Sequence, residues 1–537
     1  MRFPQPDSER ARRYRADGQW REDTVHGLIA TRVAAHPDKV AVRDASGAAL
    51  SYRALDEQSS RLAGFLAARG VGKGDIVTAC LPNWRQTVVV FLAVLKLGAV
   101  INPVPVTYGR SELAFVLDKC RSKVLFIAGR FRSTDYTAMA AAIVPAAGTN
   151  FTLMRIGSGA HDLGMDYERA LDHAPLTCVS AVSADDACAV LFTSGTESRS
   201  KGAVHTHNTI LFGERAMAAA LHITERDIAF MASPLSHATG FLHGFGMTLT
   251  TGGTLSVLDV FSGTAAAAQM KAHGCTWTMG ATPFLADTVA ALNVNGERLP
   301  ALRYFLCGGA PVPEAPVRAA AAIGMRVLSV YGATESPPHT IVHPEDPLEN
   351  SWLSDGRPLA GIEVRIVDKD GRNVPPGEVG EEWSRGPNTF LGYLEEPEMT
   401  ARALDAEGWV HSGDLARALP DGSIRIAGRL KDIIVRGGQN ISVAEVENHL
   451  ASHPAVQSVV VVGVPHERLG ETSCAVVVPK SGQTLTLNEL TAFLIDKGIA
   501  KFKLPERLEL WPSLPSTASG KIQKFMIRQQ LTARSLT

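Results

Sequence analysis

Cysteine is scarce: seven residues in 537, at 80, 120, 178, 188, 275, 307 and 474, with no CxxC pair and an odd total. Neither a disulfide framework nor a zinc site is expected from that pattern. Charge of one sign is missing as well, since 53 Lys and Arg stand against 54 Asp and Glu. The chain therefore lacks the global field that nucleic-acid and anionic-membrane binders rely on, and any anionic ligand needs a local site. No apolar run reaches membrane-spanning length: TVVVFLAVLKLGAVINPV, at 87–104, is interrupted by Lys96, Asn102 and Pro103 and reads as a buried helix running into a strand. The opening MRFPQPDSERARRYR is charged and has no apolar core, so no secretory signal is expected and the compartment reads as cytoplasm. Internal repeats and low-complexity tracts are absent.

Hydrophobic residues make up 45% and charged residues 20%, the balance of a folded globular chain. At 537 residues the chain exceeds one ordinary core, which predicts a large multi-layer domain plus at least one smaller one. Short β-branched runs alternate with Ala- and Leu-rich stretches: DIVTACL (75–81), KVLFIAG (123–129), ACAVLFTSG (187–195), TLSVLDV (254–260), GCTWTMGATPF (274–284), RYFLCGG (303–309) and RVLSVYGATES (326–336). That rhythm predicts α/β layers around mostly parallel sheet, with ligands gathered at the loops after the strands. From about 362 the texture changes to Gly- and Pro-punctuated strands (IEVRIVD, GEVGEEWSRG, GSIRIAGR), which predict a β-rich subdomain. A last segment after Gly428 holds AEVENHL as helix, SVVVVGVP and SCAVVVP as strands, and a Lys-rich tail.

Residues 193–201, TSGTESRSK, follow a predicted strand and precede GAVHTHNTILFGERAMAAAL, read as a loop leading into a helix. Hydroxyls and backbone amides of such a loop can bind phosphate oxygens, with Lys201 adding a point charge. It is not a Walker A loop, because Ser200 rather than Gly precedes the Lys, and a hydroxyl-rich loop is also a common solvated turn. Four further motifs follow in order: YGATES (331–336), GWVHSGDLA (408–416), GRLKDIIVRGGQNISVAEVE (428–447) and LPSTASGKIQK (514–524). Taken singly, Glu335 reads equally as a surface carboxylate, Asp414 as a turn former and Lys521 as a solvated tail residue. HTHNT (205–209) is a weak metal motif, with i, i+2 histidines and no nearby third ligand.

Together, and over nearly the whole chain, the five motifs resemble the acyl- and aryl-adenylate-forming family: acyl-CoA synthetases, stand-alone adenylation enzymes of peptide synthesis, and beetle luciferases. Among these the chain is most similar to ligases of medium-size acyl or alicyclic acids. The resemblance implies an α/β fold with a large N-terminal domain (1–428) of layered α/β subdomains plus a β-rich subdomain. A small mobile α+β C-terminal domain (429–537) would carry the catalytic lysine. It implies an ATP- and Mg2+-dependent carboxylic acid:CoA ligase that forms an acyl-AMP and then a thioester, releasing pyrophosphate and AMP. The alternative acceptor is the phosphopantetheine of a separate carrier protein. A luciferase-like oxygenase and a silent nucleotide-binding protein rank below both. Partners are then a small carboxylic acid and CoA, with no nucleic acid and no membrane span.

Such chemistry brings a carboxylate anion up to the α-phosphate of ATP, so cations and oriented donors are needed where the charge develops. By motif, the resemblance implies that Thr193, Ser194, Gly195, Thr196 and Lys201 wrap the β- and γ-phosphates. Thr334 lies near the α-phosphate, and Glu335, with Thr196, is associated with magnesium. Tyr331 stacks on adenine with Gly332 beside it as a nucleotide-binding residue, and Gly309 and Ala310 of CGGAP line the adenine and acyl pocket. Asp414 binds the ribose hydroxyls, and Arg429 is the second residue contacting ribose or phosphate. His237 of SPLSHATGFLHGF stands beside the acyl carboxylate, while His243 is expected to be a core or surface histidine. Lys521 contacts both reacting groups, Lys431 is the hinge, and Gly438 lines the thiol tunnel after the small domain turns. Small residues (Gly240, Ala310, Ala333) and apolar ones (Phe241, Phe284) would accept a compact acid.

Two departures stand out. The family usually ends its phosphate loop Thr-Gly-x-Pro-Lys, whereas this chain has Glu197, Ser198, Arg199, Ser200 and Lys201, which alters loop stiffness and adds a negative charge near a polyanion. Relatives that activate 2,3-dihydroxybenzoate commonly place Asn after the pocket histidine. Ala238 here disfavours a catechol acid.

Overall fold

The computed structural model describes residues 3–143, 151–177, 181–193, 200–310, 312–436, 439–466, 469–517 and 520–535. Counted over these residues, two large and mostly parallel sheets fill the N-terminal part, one of nine strands and one of eight. The first sets Val40–Arg43, Thr254–Val257, Ile228–Met231, Trp277–Gly280, Tyr304–Cys307 and Val327–Ala333 side by side in parallel. The second is built on Ala187–Thr193, Val100–Pro103, Ile76–Cys80, Val124–Ala128 and Thr152–Ile156. All seven strands expected from the α/β rhythm are present.

Ile76–Cys80 and Val124–Ala128 are buried at every position, as β-branched runs in a sheet covered on both faces must be. The interrupted apolar run forms the helix Arg85–Lys96 and then the strand Val100–Pro103, as its sequence predicts. One hydrophobic cluster takes in this helix and side chains of both sheets, Val77 and Leu255 among them. Lys96 is tolerated there because its ammonium lies 2.7 Å from both Asp56 Oδ1 and Ser60 Oγ.

Past 362 the chain forms an antiparallel four-stranded sheet of Glu363–Val367, Gly380–Arg385, Val410–Ala418 and Ile424–Arg429. Burial alternates along Gly380–Arg385, the signature of a sheet with one covered face, and puts Glu382 and Ser384 on that face. The last part is an α+β unit: strands Ile433–Arg436, Gln439–Ser442, Val456–His466, Gly470–Pro479 and Arg507–Leu510 with helices Val443–Leu450, Leu487–Asp496 and Lys524–Ser535. It has its own core around Ile434, Val446, Val461 and Leu490. The fold is the α/β class with a smaller α+β unit that the sequence implied. None of the described helices is long and apolar enough to cross a membrane.

Two local expectations change. Residues 201–206 are not a loop: Lys201–Thr206 is a strand pairing antiparallel with Ala187–Thr193, and the helix starts at His207. Its β-branched Val204 and Thr206 suit that strand. YGATES does not simply follow its strand either. Tyr331 and Gly332 lie within Val327–Ala333, and Ser336–Ile341 returns antiparallel, with Ala333 opposite Ser336.

Candidate active site

The loops after the parallel strands of the nine-stranded sheet gather on one side of the molecule. Residues 232–238, 281–284, 308–310 and 334–335 all lie there. Two of these approaches are set by specific groups. A Cβ on Gly308 would stand 2.4 Å from the Val330 carbonyl oxygen, so only glycine fits between the neighbouring strands. Asn83, buried after the strand Ile76–Cys80, accepts from the Leu235 N–H (2.7 Å) and donates to the Ser233 (3.0 Å) and Leu258 (3.1 Å) carbonyls. One amide thus fixes the loop that carries His237.

Because Ala333 pairs with Ser336, Thr334 and Glu335 are the two residues of a tight hairpin turn. Three donors hold it. Buried His205 gives its Nε2–H to the Thr334 carbonyl at 2.8 Å. The Phe390 N–H reaches the Glu335 carbonyl at 2.9 Å. The Tyr393 hydroxyl donates to Glu335 Oε1 at 2.6 Å. Burial pushes the His205 imidazole down to about 4, so it is neutral and its proton stays on the nitrogen facing Thr334. His207 Nδ1 accepts from the Val25 N–H at 3.2 Å. Both histidines of HTHNT therefore serve the frame rather than a metal.

The antiparallel strands Ala187–Thr193 and Lys201–Thr206 stand beside this turn. Thr193 is paired with Lys201, and the Ser200 hydroxyl bonds across to the Thr193 carbonyl. The Lys201 ammonium sits 5.2 Å from the Tyr393 ring centroid. Ser194, Gly195, Thr196, Glu197, Ser198 and Arg199 lie outside the described residues, as does Gly438.

Asp414 lies within the strand Val410–Ala418, directly opposite Arg429 in register, and is not a turn former. Arg429 Nε is 2.8 Å from Asp414 Oδ1, and the Tyr331 hydroxyl donates to Oδ2 at 2.8 Å. Asp414 is only 6% exposed, so these partners fix its direction. The Tyr331 ring meets His339 edge-on, centroids 4.8 Å apart. Gly309 and Ala310 are exposed past the end of Tyr304–Cys307, with Gly309 at φ 85. Lys431 falls on the short helical turn Leu430–Asp432 that follows the strand ending at Arg429.

Lys521 reaches this cleft from the C-terminal unit. Burial, then the Arg429 guanidinium, pushes its ammonium down to about 8, against the pull of Asp414, Glu335 and Asp432. Those neighbours place the lysine beside Arg429, Asp414 and Glu335. His237 faces the open cleft while protein surrounds it, and desolvation, then Lys521 and His243, pushes its imidazole down to about 4. Gly520, at φ 84, comes so close to the acyl side that an added Cβ would stand 3.4 Å from Ala281 Cβ.

The acyl wall differs from expectation in two places. Gly240 is buried, and a Cβ there would lie 2.2 Å from the Pro234 carbonyl oxygen, so its smallness serves backbone packing and not the acid. Phe241 packs into the core against Phe91 and Phe245 at centroid distances of 5.3 and 5.6 Å. Both sit on the π-helix Thr239–Met247, whose wider turn rotates side chains away from where a loop would present them. His243 is the satisfied core histidine expected, 2.8 Å from Glu214. Sequence reasoning missed His205, Tyr393 and Asn83. A Tyr after Gly in FLGYL was the only local sign for Tyr393, and its pairing with the strand Lys201–Thr206 is long-range.

Residues 29–394 match the model of the AMP-binding enzyme family, and residues 445–521 match the AMP-binding enzyme C-terminal domain. The chain belongs to that family. It is 42% identical to the medium-chain fatty-acid–CoA ligase of Escherichia coli over 532 residues, covering 98% of this chain and 94% of the relative. A feruloyl-CoA synthase of an Amycolatopsis species is 34% identical, covering 92% of this chain and 96% of the relative. The ATP-bound MatB of Rhodopseudomonas palustris superposes with a TM-score of 0.84 at 28% identity, covering 95% of this chain and 99% of that one. The chain is an AMP-forming acid–thiol ligase, with ATP and CoA as substrates.

Proposed function

We propose that this ligase activates medium-chain carboxylic acids with ATP and Mg2+ and hands the acyl group to the thiol of CoA. The observation that carries the reading is the convergence of Lys521 with Asp414, Arg429, Glu335 and His237 in one cleft. The chain-length class is that of the Escherichia coli relative.

In the first step a carboxylate oxygen of the acid attacks the α-phosphorus of ATP, and the bond to the leaving pyrophosphate breaks. Lys521 supplies positive charge where the two anions meet. Thr193, Ser194, Gly195, Thr196 and Lys201 hold the β- and γ-phosphates, and Thr334 stands at the α-phosphate. Asp414 and Arg429 orient the ribose, while Tyr331, Gly332, Gly309 and Ala310 border the adenine. His237, neutral at pH 7, borders the acid without adding charge. Glu335 fits a hard cation: its Oε1 is anchored by Tyr393, and Oε2 makes no hydrogen bond to another described residue. Together with Thr196 it would hold Mg2+, which screens phosphate charge.

In the second step the domain 429–537 turns about Lys431. Lys521 leaves, the Gly438 loop arrives, and the thiol attacks the acyl carbonyl while AMP departs. The test is pyrophosphate release with ATP, Mg2+ and CoA over straight-chain acids from butanoate to hexadecanoate plus alicyclic and aromatic acids, with CoA omitted in parallel. CoA-dependent turnover peaking at medium chains is expected. Turnover confined to aromatic acids would overturn the substrate class. Acid-dependent exchange indifferent to CoA would move the acceptor to a carrier protein.

A further inference from the structure

Behind the nucleotide side of the cleft lies a pair of charged side chains to which the reaction above gives no role. His339 and Glu382 are each 0% exposed, on the strands Ser336–Ile341 and Gly380–Arg385. His339 Nε2 faces Glu382 Oε1 at 3.4 Å, and neither atom has a hydrogen-bond partner. Fully buried polar atoms are rarely left so, and those that are call for an explanation. A nonpolar pair of the same size would hold these strands together at no electrostatic cost.

The hydrogen bonds decide where the proton is. His339 Nδ1 lies 2.7 Å from the Ser336 carbonyl oxygen. A carbonyl only accepts, so Nδ1 carries a hydrogen. A neutral ring would then turn a lone pair toward Glu382. The 3.4 Å approach is attractive only if a second proton sits between Nε2 and the carboxylate. Burial alone would push the imidazole down, but Glu382, the Ser336 carbonyl and Asp414 outweigh it and hold the group above its usual value. His339 is the cation of the pair.

From Glu382 the chain of contacts runs to the cleft. Tyr331 has one hydroxyl hydrogen and two carboxylates in reach, Asp414 Oδ2 at 2.8 Å and Glu382 Oε2 at 3.4 Å. Desolvation and those two carboxylates hold its phenol well above the usual range, so it stays protonated. With Glu382 neutralised by His339, the hydrogen is committed to Asp414. We infer that His339 and Glu382 form a charge-balanced positioning pair that orients Tyr331 and, through it, the ribose-binding carboxylate Asp414. The inference rests on the assignment of Asp414 to the ribose.

The pair makes an unusual double-variant prediction. His339→Leu leaves Glu382 buried next to Asp414 without its partner, so KM for ATP rises about 30-fold while kcat at saturating ATP and KM for the acid change less than about threefold. Adding Glu382→Leu removes the stranded carboxyl group, so H339L/E382L recovers to a rise of about fivefold, with a Tm at or above wild type. A merely structural pair would move Tm and leave the ATP-specific split absent. The measurement is steady-state kinetics against ATP and acid separately, with thermal unfolding of each variant and Asp414→Ala as reference. Where H339L alone fails to fold, the double variant decides: KM for ATP within twofold of wild type overturns the pairing role. A raised KM in D414A beside unchanged H339L and H339L/E382L overturns the pair alone. An unchanged KM in D414A overturns the ribose assignment and the inference with it.

Discussion

The two walls of the cleft are built differently. On the large-domain side the turn Thr334–Glu335 is clamped by three residues, His205, Phe390 and Tyr393, drawn from two separated parts of the chain. On the other side Lys521 rides on a turn whose backbone bonds close on itself. The Thr517 N–H bonds the Lys521 carbonyl (2.8 Å), the Gly520 N–H bonds the Thr517 carbonyl (2.9 Å), and Ser516 bridges Ile522. One wall is preorganised by the fold, as electrostatic catalysis requires. The other is carried to the site by a separate core and meets it through close contacts such as Gly520 on Ala281. A cleft with one fixed and one separately carried wall suits two successive reactions at one place.

The sharpest way to break this contrast is to remove the carried cation. Lys521→Ala is expected to lower acid-dependent pyrophosphate exchange by at least about 10³-fold, while thioester formation from supplied acyl-AMP stays within about threefold. Equal loss in both half-reactions would mean that Lys521 is not confined to the first. On the fixed wall, Glu335→Gln should lower exchange about 10²-fold, with partial recovery at raised Mg2+. Tyr393→Phe removes the 2.6 Å bond that aims Glu335 and should cost about tenfold, the scale of one hydrogen bond to a charged group. A Tyr393→Phe enzyme indistinguishable from wild type in exchange would show that the clamp is not needed. Gly438→Leu should slow thiol transfer several-fold more than exchange, measured by comparing CoA-dependent turnover with exchange in the same preparation.

The smallest effect expected is a pH response. Burial holds Lys521 at about 8, below the usual range of a lysine ammonium, so its charge is present below pH 8 and lost above it. Exchange measured as kcat/KM should therefore fall as pH rises through about 8, because that ratio reports the free enzyme. Thioester formation from supplied acyl-AMP should lack that limb. The same descending limb in both half-reactions would remove this distinction between the walls.

The sequence made the strand-rich frame legible because parallel strands buried on both faces are written as short uniform runs, as in VLFIA at 124–128. It also made Asp414, Glu335 and Lys521 visible, since motif order marks them wherever the chain folds. What it hid was pairing. Nothing local in KGAVHT says that it returns antiparallel on 187–193, nor that His205 will prop a carbonyl 129 residues away. Glu382 looked like one more acid in GEVGEEWSRG until alternation in the strand put it inward. Gly240 and Phe241 were expected to border the acid by size and polarity alone, which do not show that the π-helix Thr239–Met247 turns them into the core.

The self-bonded turn at Lys521 has a consequence for the energetics of alternation. The Gln523 N–H also bonds back to the Pro515 carbonyl at 2.8 Å, so the described residues flanking Lys521, 515–517 and 520–523, are tied to one another. Residues tied in this way can be lifted out of the cleft and set back without unfolding and rebuilding. The cost of withdrawal then lies in parting apolar surfaces and that of return in drying an ammonium, rather than in reassembling the lysine's own scaffold.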